Sequence, residues 1–408
     1  MPFQAIDRLF VLVDARRLGH AGNPAPENVM QGDLYEDTDA AIRLDNPYQP
    51  VAITTRYTQK LKGACAMFHP HIRFKAIRRS LFPSLFPLAL GLCATLAHAA
   101  GFDLIQVPAS KDGPALYGGV WTPCKAPSEK IALGQTVIDG THDCPLAGTD
   151  LPLIVMSHGY GGSFLNQHDT AEKLADAGFV VAEVNHSDDN YQIRGGPNDS
   201  IIALATRPMD VSRLIDYMLE KWPAHAKLDA DRIGFYGFSR GGYTGLVLAG
   251  ADPDFERLGP PPGSPCVADP EGKACALIRQ RFKQLLAAPV VHDDRIDAAV
   301  IADPFAPLFT AEGLKDVSIP IQLWSSEQGG DGVAPEAVAA IAHNLPDPPD
   351  FHKVPNSVHF GFLPPCSPAR LKTAPEICTD PPGFDRSAFH ADFNEKVLAF
   401  FKEQLDAQ

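Results

Sequence analysis

The chain has 408 residues, 45% of them hydrophobic, and 35 Lys and Arg against 49 Asp and Glu give it a formal net charge of −14. That length and apolar content suffice for one catalytic domain with a large buried core and require no second one. The acidic balance argues against nucleic acid and anionic lipid surfaces as partners, since binding phosphate draws on clustered cations.

Residues 1–66 carry mixed charge and no amphipathic period, and read as a non-native upstream extension, with Met67 as the true first residue. Residues 67–99 read as a signal peptide. The basic stretch HIRFKAIRR precedes the apolar LFPSLFPLALGLCATL, and Ala97-His98-Ala99 supplies a small-residue cleavage pattern before Ala100. The apolar run holds two prolines and is shorter than the roughly 20 residues a spanning helix needs, so no stable membrane insertion is expected after its removal. Arg78-Arg79 before Ser80-Leu81-Phe82 resembles a twin-arginine signal, which leaves both export routes open and the expected location periplasmic or secreted. Residues 100–408 are then the catalytic domain, with 24 Lys and Arg against 41 Asp and Glu.

Within that domain two or three β segments run to about residue 137. A strand over 153–157 closes on the loop His158-Gly159-Tyr160-Gly161-Gly162. TAEKLADAG reads as a helix closed by Gly178, FVVAEV as a buried strand, and MDVSRLIDYMLEKW as a helix with apolar residues at i, i+3, i+4 and i+7. The strand in RIGFYGFSRGGY leads into a helix over YTGLVLAG. Residues 251–292 form an insertion: ADPDFERLGPPPGSPC is too rich in Pro and Gly for a core element, and CALIRQRFKQLLAA is amphipathic. Its place after the nucleophile helix suits either a lid or a plain surface excursion. The runs AAVIAD and IQLWSSEQGGD read as strands, and a terminal helix spans about 387–404. Alternation of this kind implies an α/β class with a mainly parallel sheet covered on both faces.

Six cysteines remain beyond Cys65 and Cys93, in three close sequence pairs: Cys124 with Cys144, Cys266 with Cys275, and Cys366 with Cys378. An even set in an exported chain reads as disulfides. Six allow 15 connectivities, of which neighbour pairing is the simplest. No C-x-x-C pair, H-x-x-x-H helix, GxxxxGK loop or GxGxxG turn is present, so neither a metal nor a cofactor is expected.

Gly237-Phe238-Ser239-Arg240-Gly241 is the pattern that puts a nucleophilic serine on a sharp strand-to-helix turn, its glycines allowing the turn without a Cβ clash. Attack by Ser239 on an acyl carbon creates an oxyanion, which needs two N–H donors already aimed at it. The backbone amides of Arg240 and of Tyr160 in the glycine-rich loop suit that role. The serine also needs a base. His292, His343, His352, His359 and His390 lie downstream, and His359 in VPNSVHFGF is the late, loop-borne one, flanked by Phe360 and Phe362 and followed by the terminal helix. For the acid that orients the base, Asp303 at the end of AAVIAD competes with Glu327 and Asp331 after the next strand.

The ordered set HGYGG, GFVVAEVNH, GFSRGG, VIADPFAPL and SVHF resembles the platelet-activating-factor acetylhydrolase group, whose bacterial relatives are often labelled dienelactone-hydrolase-like. The likeness covers roughly residues 101–405. It implies the α/β-hydrolase fold and a serine carboxylic ester hydrolase, acetylhydrolase-, esterase- or lipase-like, acting on a small-molecule or lipid-like ester. It also implies Asp303 as the acid, His359 as the base, and Tyr160 and Arg240 as oxyanion donors. True dienelactone hydrolases use cysteine where this chain has Ser239, and the 251–292 insertion departs from the acetylhydrolase pattern. The same relay serves amidases and peptidases, and a non-catalytic binding protein on this fold is the rival from another class. Acyl chain, alcohol and oligomeric state are not readable from the residues.

Overall fold

The computed structural model describes residues 100–193, 201–258, 265–285 and 290–406. The upstream extension, the signal segment, Cys65 and Cys93 lie outside the described residues.

The strands are β1 (Gly101–Val107), β2 (Leu116–Thr122), β3 (Glu129–Leu133), β4 (Thr136–Gly140), β5 (Leu151–Ser157), β6 (Val180–Val184), β7 (Leu228–Phe238), β8 (Ala298–Ala302), β9 (Ile321–Ser326) and β10 (Asp350–Val354). The helices are α1 (His168–Asp176), α2 (Ile201–Glu220), α3 (Arg240–Leu248), α4 (Pro265–Ala268), α5 (Lys273–Leu285), α6 (Ala311–Leu314), α7 (Pro335–Asn344), α8 (Pro368–Thr373), α9 (Pro375–Cys378) and α10 (Arg386–Asp406). Eight strands form one sheet in the order β1-β2-β6-β5-β7-β8-β9-β10, while β3 and β4 make a separate hairpin. The β1–β2 and β2–β6 pairings are antiparallel, and every pairing from β6 to β10 is parallel. This is the α/β-hydrolase arrangement expected from the sequence, a mainly parallel sheet between two helical layers.

Covering both faces explains why the central strands read as unbroken apolar runs. In β5, Leu153 and Val155 join a core with α2 and α3 through Leu214, Ile215, Leu246 and Val247, and α7 adds Val338 and Ile341. Their neighbours Ile154 and Met156 point the other way, into a core with Leu174 of α1 and Phe393, Val397 and Phe401 of α10. A Cβ at Gly234 would come within 2.6 Å of Ile154 and 2.7 Å of Phe401, so the glycine is what lets α10 settle onto β7.

Three details depart from the sequence expectation. Four strands, not two or three, precede residue 141, because β3 and β4 turn at Gly134, whose φ is +64°. Helix α2 begins at Ile201, well ahead of Met209, and runs through Pro208. Proline removes one intrahelical bond, but burial of Ala203, Leu204 and Val211 holds the first turns in place. The C-terminal helix extends to Asp406.

The three neighbouring cysteine pairs are disulfide-bonded, with Cα separations of 6.0 Å for Cys124–Cys144, 4.6 Å for Cys266–Cys275 and 5.7 Å for Cys366–Cys378. The Cys266–Cys275 bond joins α4 to α5 within the insertion. The insertion follows the C-terminal end of α3: on its far side the Asp293 N–H donates to the Leu248 carbonyl at 2.9 Å, and on its near side the Asp252 N–H donates to the Gly313 carbonyl of α6 at 2.7 Å. The insertion thus leaves from the opposite end of that helix to Ser239.

Candidate active site

Strand β7 ends at Phe238 and α3 begins at Arg240, so Ser239 alone makes the turn, at φ 58° and ψ −116°. A non-glycine residue in that region is strained and must be held by its surroundings. The Ser239 N–H donates to the Ala302 carbonyl at 3.0 Å, and the Ser239 carbonyl accepts from Phe305 at 3.0 Å and Tyr243 at 3.1 Å. The flanking glycines are required by close approach rather than by φ. A Cβ on Gly237 would meet the Gly241 carbonyl oxygen at 2.2 Å, and one on Gly241 would meet the Ser157 carbonyl oxygen at 1.8 Å.

The imidazole of His359 bridges serine and carboxylate. Its Nε2 lies 3.0 Å from Ser239 Oγ and its Nδ1 2.6 Å from Asp303 Oδ2. A ring that donates from Nδ1 to a carboxylate presents a lone pair at Nε2, which is the form able to take the serine proton. All three groups are buried: Ser239 is 5% exposed, His359 1% and Asp303 0%. Phe238 stacks on the imidazole with ring centres 4.7 Å apart. The ring sits on a short 3-10 turn, His359–Phe362, whose first N–H donates to the Gly329 carbonyl at 2.9 Å.

Asp303 follows β8 at φ 44° and is satisfied from β9. The Ser326 N–H donates to Oδ1 at 2.7 Å and the Ser326 hydroxyl to Oδ2 at 2.8 Å. The competing carboxylates are turned elsewhere. The Glu327 side chain is 45% exposed, accepts from the Asn356 N–H at 2.8 Å and pairs with Lys353 at 3.4 Å. Those contacts, the Asn356 bond first, hold its carboxyl below the usual range. Asp331 is exposed at φ 48°.

The other downstream histidines are engaged away from Ser239. His292 lies 3.5 Å from Asp252, and His343 sits in the last turn of α7. His352 stacks on Trp324 at 4.1 Å, and His390 meets Asp169 at 2.7 Å.

The glycine-rich loop passes directly beside the serine, since a Cβ at Gly159 would lie 3.2 Å from Ser239 Cβ. Tyr160 and Arg240 are themselves neighbours, the guanidinium lying 4.3 Å from the centre of the tyrosine ring. Arg240 opens α3, and the N-terminal end of a helix favours negative charge. Asp189, fully buried, fixes both segments. Its Oδ1 accepts from the Gly161 N–H at 2.8 Å, and its Oδ2 from Arg240 at 3.0 Å and Arg207 at 2.8 Å. Burial alone would raise this carboxyl, but the two guanidiniums and the Gly161 bond outweigh it and hold it below the usual range.

Sequence reasoning missed Asp189 and Arg207. The local signals were an arginine inside the mostly apolar IIALATRPMDV and an acidic pair after β6.

A second Ser–His–Asp alignment lies deeper. Ser157 Oγ is 2.8 Å from His186 Nε2, and His186 Nδ1 is 3.4 Å from Asp210 Oδ2. This serine closes a central strand with no exposed surface, and its oxygen also accepts from Arg207 at 3.2 Å. Burial holds His186 neutral, lowered well below the usual imidazole range, and pushes Asp210 up to about 6. These groups satisfy one another inside the core and leave no room for an acyl group at Ser157.

A cleft of about 180 Å³ lies between the β3–β4 hairpin, at Gln135 and Val137, and the segments holding Asn166 and Pro364, and none of Ser239, His359 and Asp303 lines it. No group of His, Cys, Asp and Glu able to hold a metal occurs among the described residues, and none of their helices is long and apolar enough to cross a membrane.

Among known families, residues 124–194 match the model of platelet-activating factor acetylhydrolase, isoform II. The matched stretch holds the glycine-rich loop and Asp189 and ends before Ser239. In three dimensions the chain is similar to a ferulic acid esterase from Streptomyces cinnamoneus, at 18% identity and TM-score 0.53, over 78% of this chain and 92% of that one. Nothing among curated protein sequences matches. At such identity the structural likeness is one of fold.

Proposed function

We propose that the chain is an exported serine hydrolase of the platelet-activating-factor acetylhydrolase-like kind, cleaving carboxylic esters through an acyl-enzyme, a reading supported by the family match over residues 124–194 and by the likeness of fold to an esterase. The reading rests on the continuous contact from Ser239 Oγ through His359 to Asp303. Ser239 attacks the ester carbonyl carbon as His359 Nε2 takes its proton, and Asp303 stabilises the imidazolium that forms. The tetrahedral oxyanion is assigned to the backbone amides of Tyr160 and Arg240, since preorganised donors need no reorganisation as the charge develops. Collapse expels the alcohol, which receives the proton from His359. Water activated by the same imidazole then attacks the acyl-Ser239 ester and releases the acid. No cofactor enters these steps. Ester rather than amide substrates are favoured by the family likeness. Export is supported by three disulfides, which persist in oxidising compartments.

A fluorophosphonate probe and a p-nitrophenyl ester panel from acetate to palmitate test the reading. The wild type is expected to label and turn over, and Ser239→Ala to do neither, with turnover lowered on the order of 10⁶. Ser157→Ala is expected to retain labelling while losing about 1–3 kcal/mol of stability from unpaired His186 and Arg207. Labelling that survives in Ser239→Ala and vanishes in Ser157→Ala would move the nucleophile to the inner serine.

A further inference from the structure

The turn that carries His359 is held from behind by a second histidine. His390, on the buried face of α10 and 4% exposed, points Nε2 at the Gly361 carbonyl oxygen at 3.0 Å, two residues past His359 in the same 3-10 turn. Its Nδ1 lies 2.7 Å from Asp169 Oδ2 in the first turn of α1. One helical turn further along α10, the Asn394 amide donates to that same oxygen at 2.9 Å and accepts from the Thr170 hydroxyl at 2.7 Å. Phe362, the last residue of the turn, packs edge-on against Phe389 and Phe393 of α10, with ring centres 5.2 and 5.6 Å away.

The chemistry of these partners fixes the protons on the ring. A carbonyl oxygen accepts and never donates. Asp169 is a carboxylate, anionic at neutral pH, and its Oδ2 already accepts from the Asn394 amide at 2.9 Å. Both ring nitrogens therefore face acceptors. A neutral imidazole would set a lone pair against one of those oxygens at 2.7 or 3.0 Å, an unfavourable buried contact in place of a hydrogen bond. His158 shows the contrasting case, with Nδ1 against the Gly159 carbonyl at 2.7 Å and Nε2 accepting from the His186 N–H at 3.4 Å, contacts that suit a single-proton ring.

We propose that His390 is a positioning residue for ester hydrolysis, a doubly protonated imidazole that Asp169 anchors and that holds the Gly361 carbonyl, thereby setting the orientation of the His359 ring toward Ser239. The proposal rests on the Ser239–His359–Asp303 reading above. His390 touches neither substrate nor the reacting atoms. It acts through the backbone of the turn, in which the Gly361 N–H also donates to the Val358 carbonyl at 2.9 Å. Release of that carbonyl frees the segment that places Nε2 at hydrogen-bond distance from the serine. Misplacement of a base by about 1 Å costs on the order of 10²-fold in rate.

The test compares His390→Phe, which keeps ring volume and removes both donors, with His390→Gln, whose amide N–H reaches the Gly361 carbonyl. With p-nitrophenyl acetate, His390→Phe is expected to lower kcat about 10- to 100-fold with KM unchanged. His390→Gln should recover most of that loss. A purely structural residue would lower the melting temperature of both variants and leave the kcat of the folded protein as it was. The wild type labelled with 15N-histidine gives a second reading: both His390 ring nitrogens should carry protons at pH 7. A folded His390→Phe with wild-type kcat, or a ring with one bare nitrogen, overturns the proposal. If His390→Phe does not fold, the glutamine variant and the ring protonation decide. Absence of ester turnover in the wild type would instead overturn the relay reading, and the ring protonation would still report on the clamp.

Discussion

At the scale of the residue, the assignment of the acid is the sharpest question, because two strand-end loops each offer a carboxylate. Asp303 has no exposed surface, and its carboxylate is hydrogen-bonded to Ser326 and His359. Glu327 is surface-facing and already committed to Asn356 and Lys353. Asp303→Asn is expected to favour the wrong imidazole tautomer and lower turnover by up to about 10⁴, whereas Glu327→Gln stays within a few-fold. Steady-state kinetics on the two variants checks this, and the reverse order of damage would transfer the role to the β9 loop. Which residues could be read in advance follows from how local their constraints are. Ser239 was legible because its turn demands Gly237 and Gly241 within two positions of it. Asp303 needed the family likeness, since a strand-end aspartate has no distinguishing neighbour in sequence. Asp189 and Arg207 meet only after folding, across 18 residues, and no spacing rule connects them.

At the scale of the element, the parallel strands were legible because burial on both faces makes them uniformly apolar, and β5, β6, β8 and β9 are buried at every position. The first turns of α2 were hidden by Pro208, a local breaker that packing overrides. The α1–α10 contact was hidden too, because each of its polar partners, read alone, suits a solvated helix face. That contact carries a pH signature. Asp169 has a folded pKa of about 2, depressed from 3.8, so its contribution is present above the unfolded value and is lost as pH falls through the folded one. Asp169→Asn is expected to cost about 2 kcal/mol at neutral pH. Roughly half of that difference should remain at pH 3 and almost none below pH 2. Urea denaturation of both proteins across this range measures it, and a gap that stays constant with pH would show that the His390–Asp169 pair adds nothing through charge.

At the scale of the whole molecule, the signal-peptide reading and the folded core meet at one residue. Ala100 is 1% exposed, its carbonyl accepts from the Thr141 N–H at 3.0 Å, and β1 begins at Gly101. Cleavage after Ala99 would therefore deliver a chain that enters the sheet from its second residue. The Cys124–Cys144 bond lies close by, since a Cβ at Gly101 would come 3.3 Å from Cys144 Cβ and 3.6 Å from Cys124 Cβ. Closing that loop in an oxidising compartment constrains the unfolded chain beside the strand that starts the sheet, an effect of about 3 kcal/mol for a loop of some 20 residues. The exported protein is thus expected to begin at or near Ala100 and to have an intact mass lower by two hydrogens for each of three disulfides. Mild reduction should lower its melting temperature. Mass spectrometry of a periplasmic or secreted preparation decides between the outcomes: retention of residues 67–99 would overturn the signal-peptide reading, and six free thiols after denaturation would overturn the disulfides.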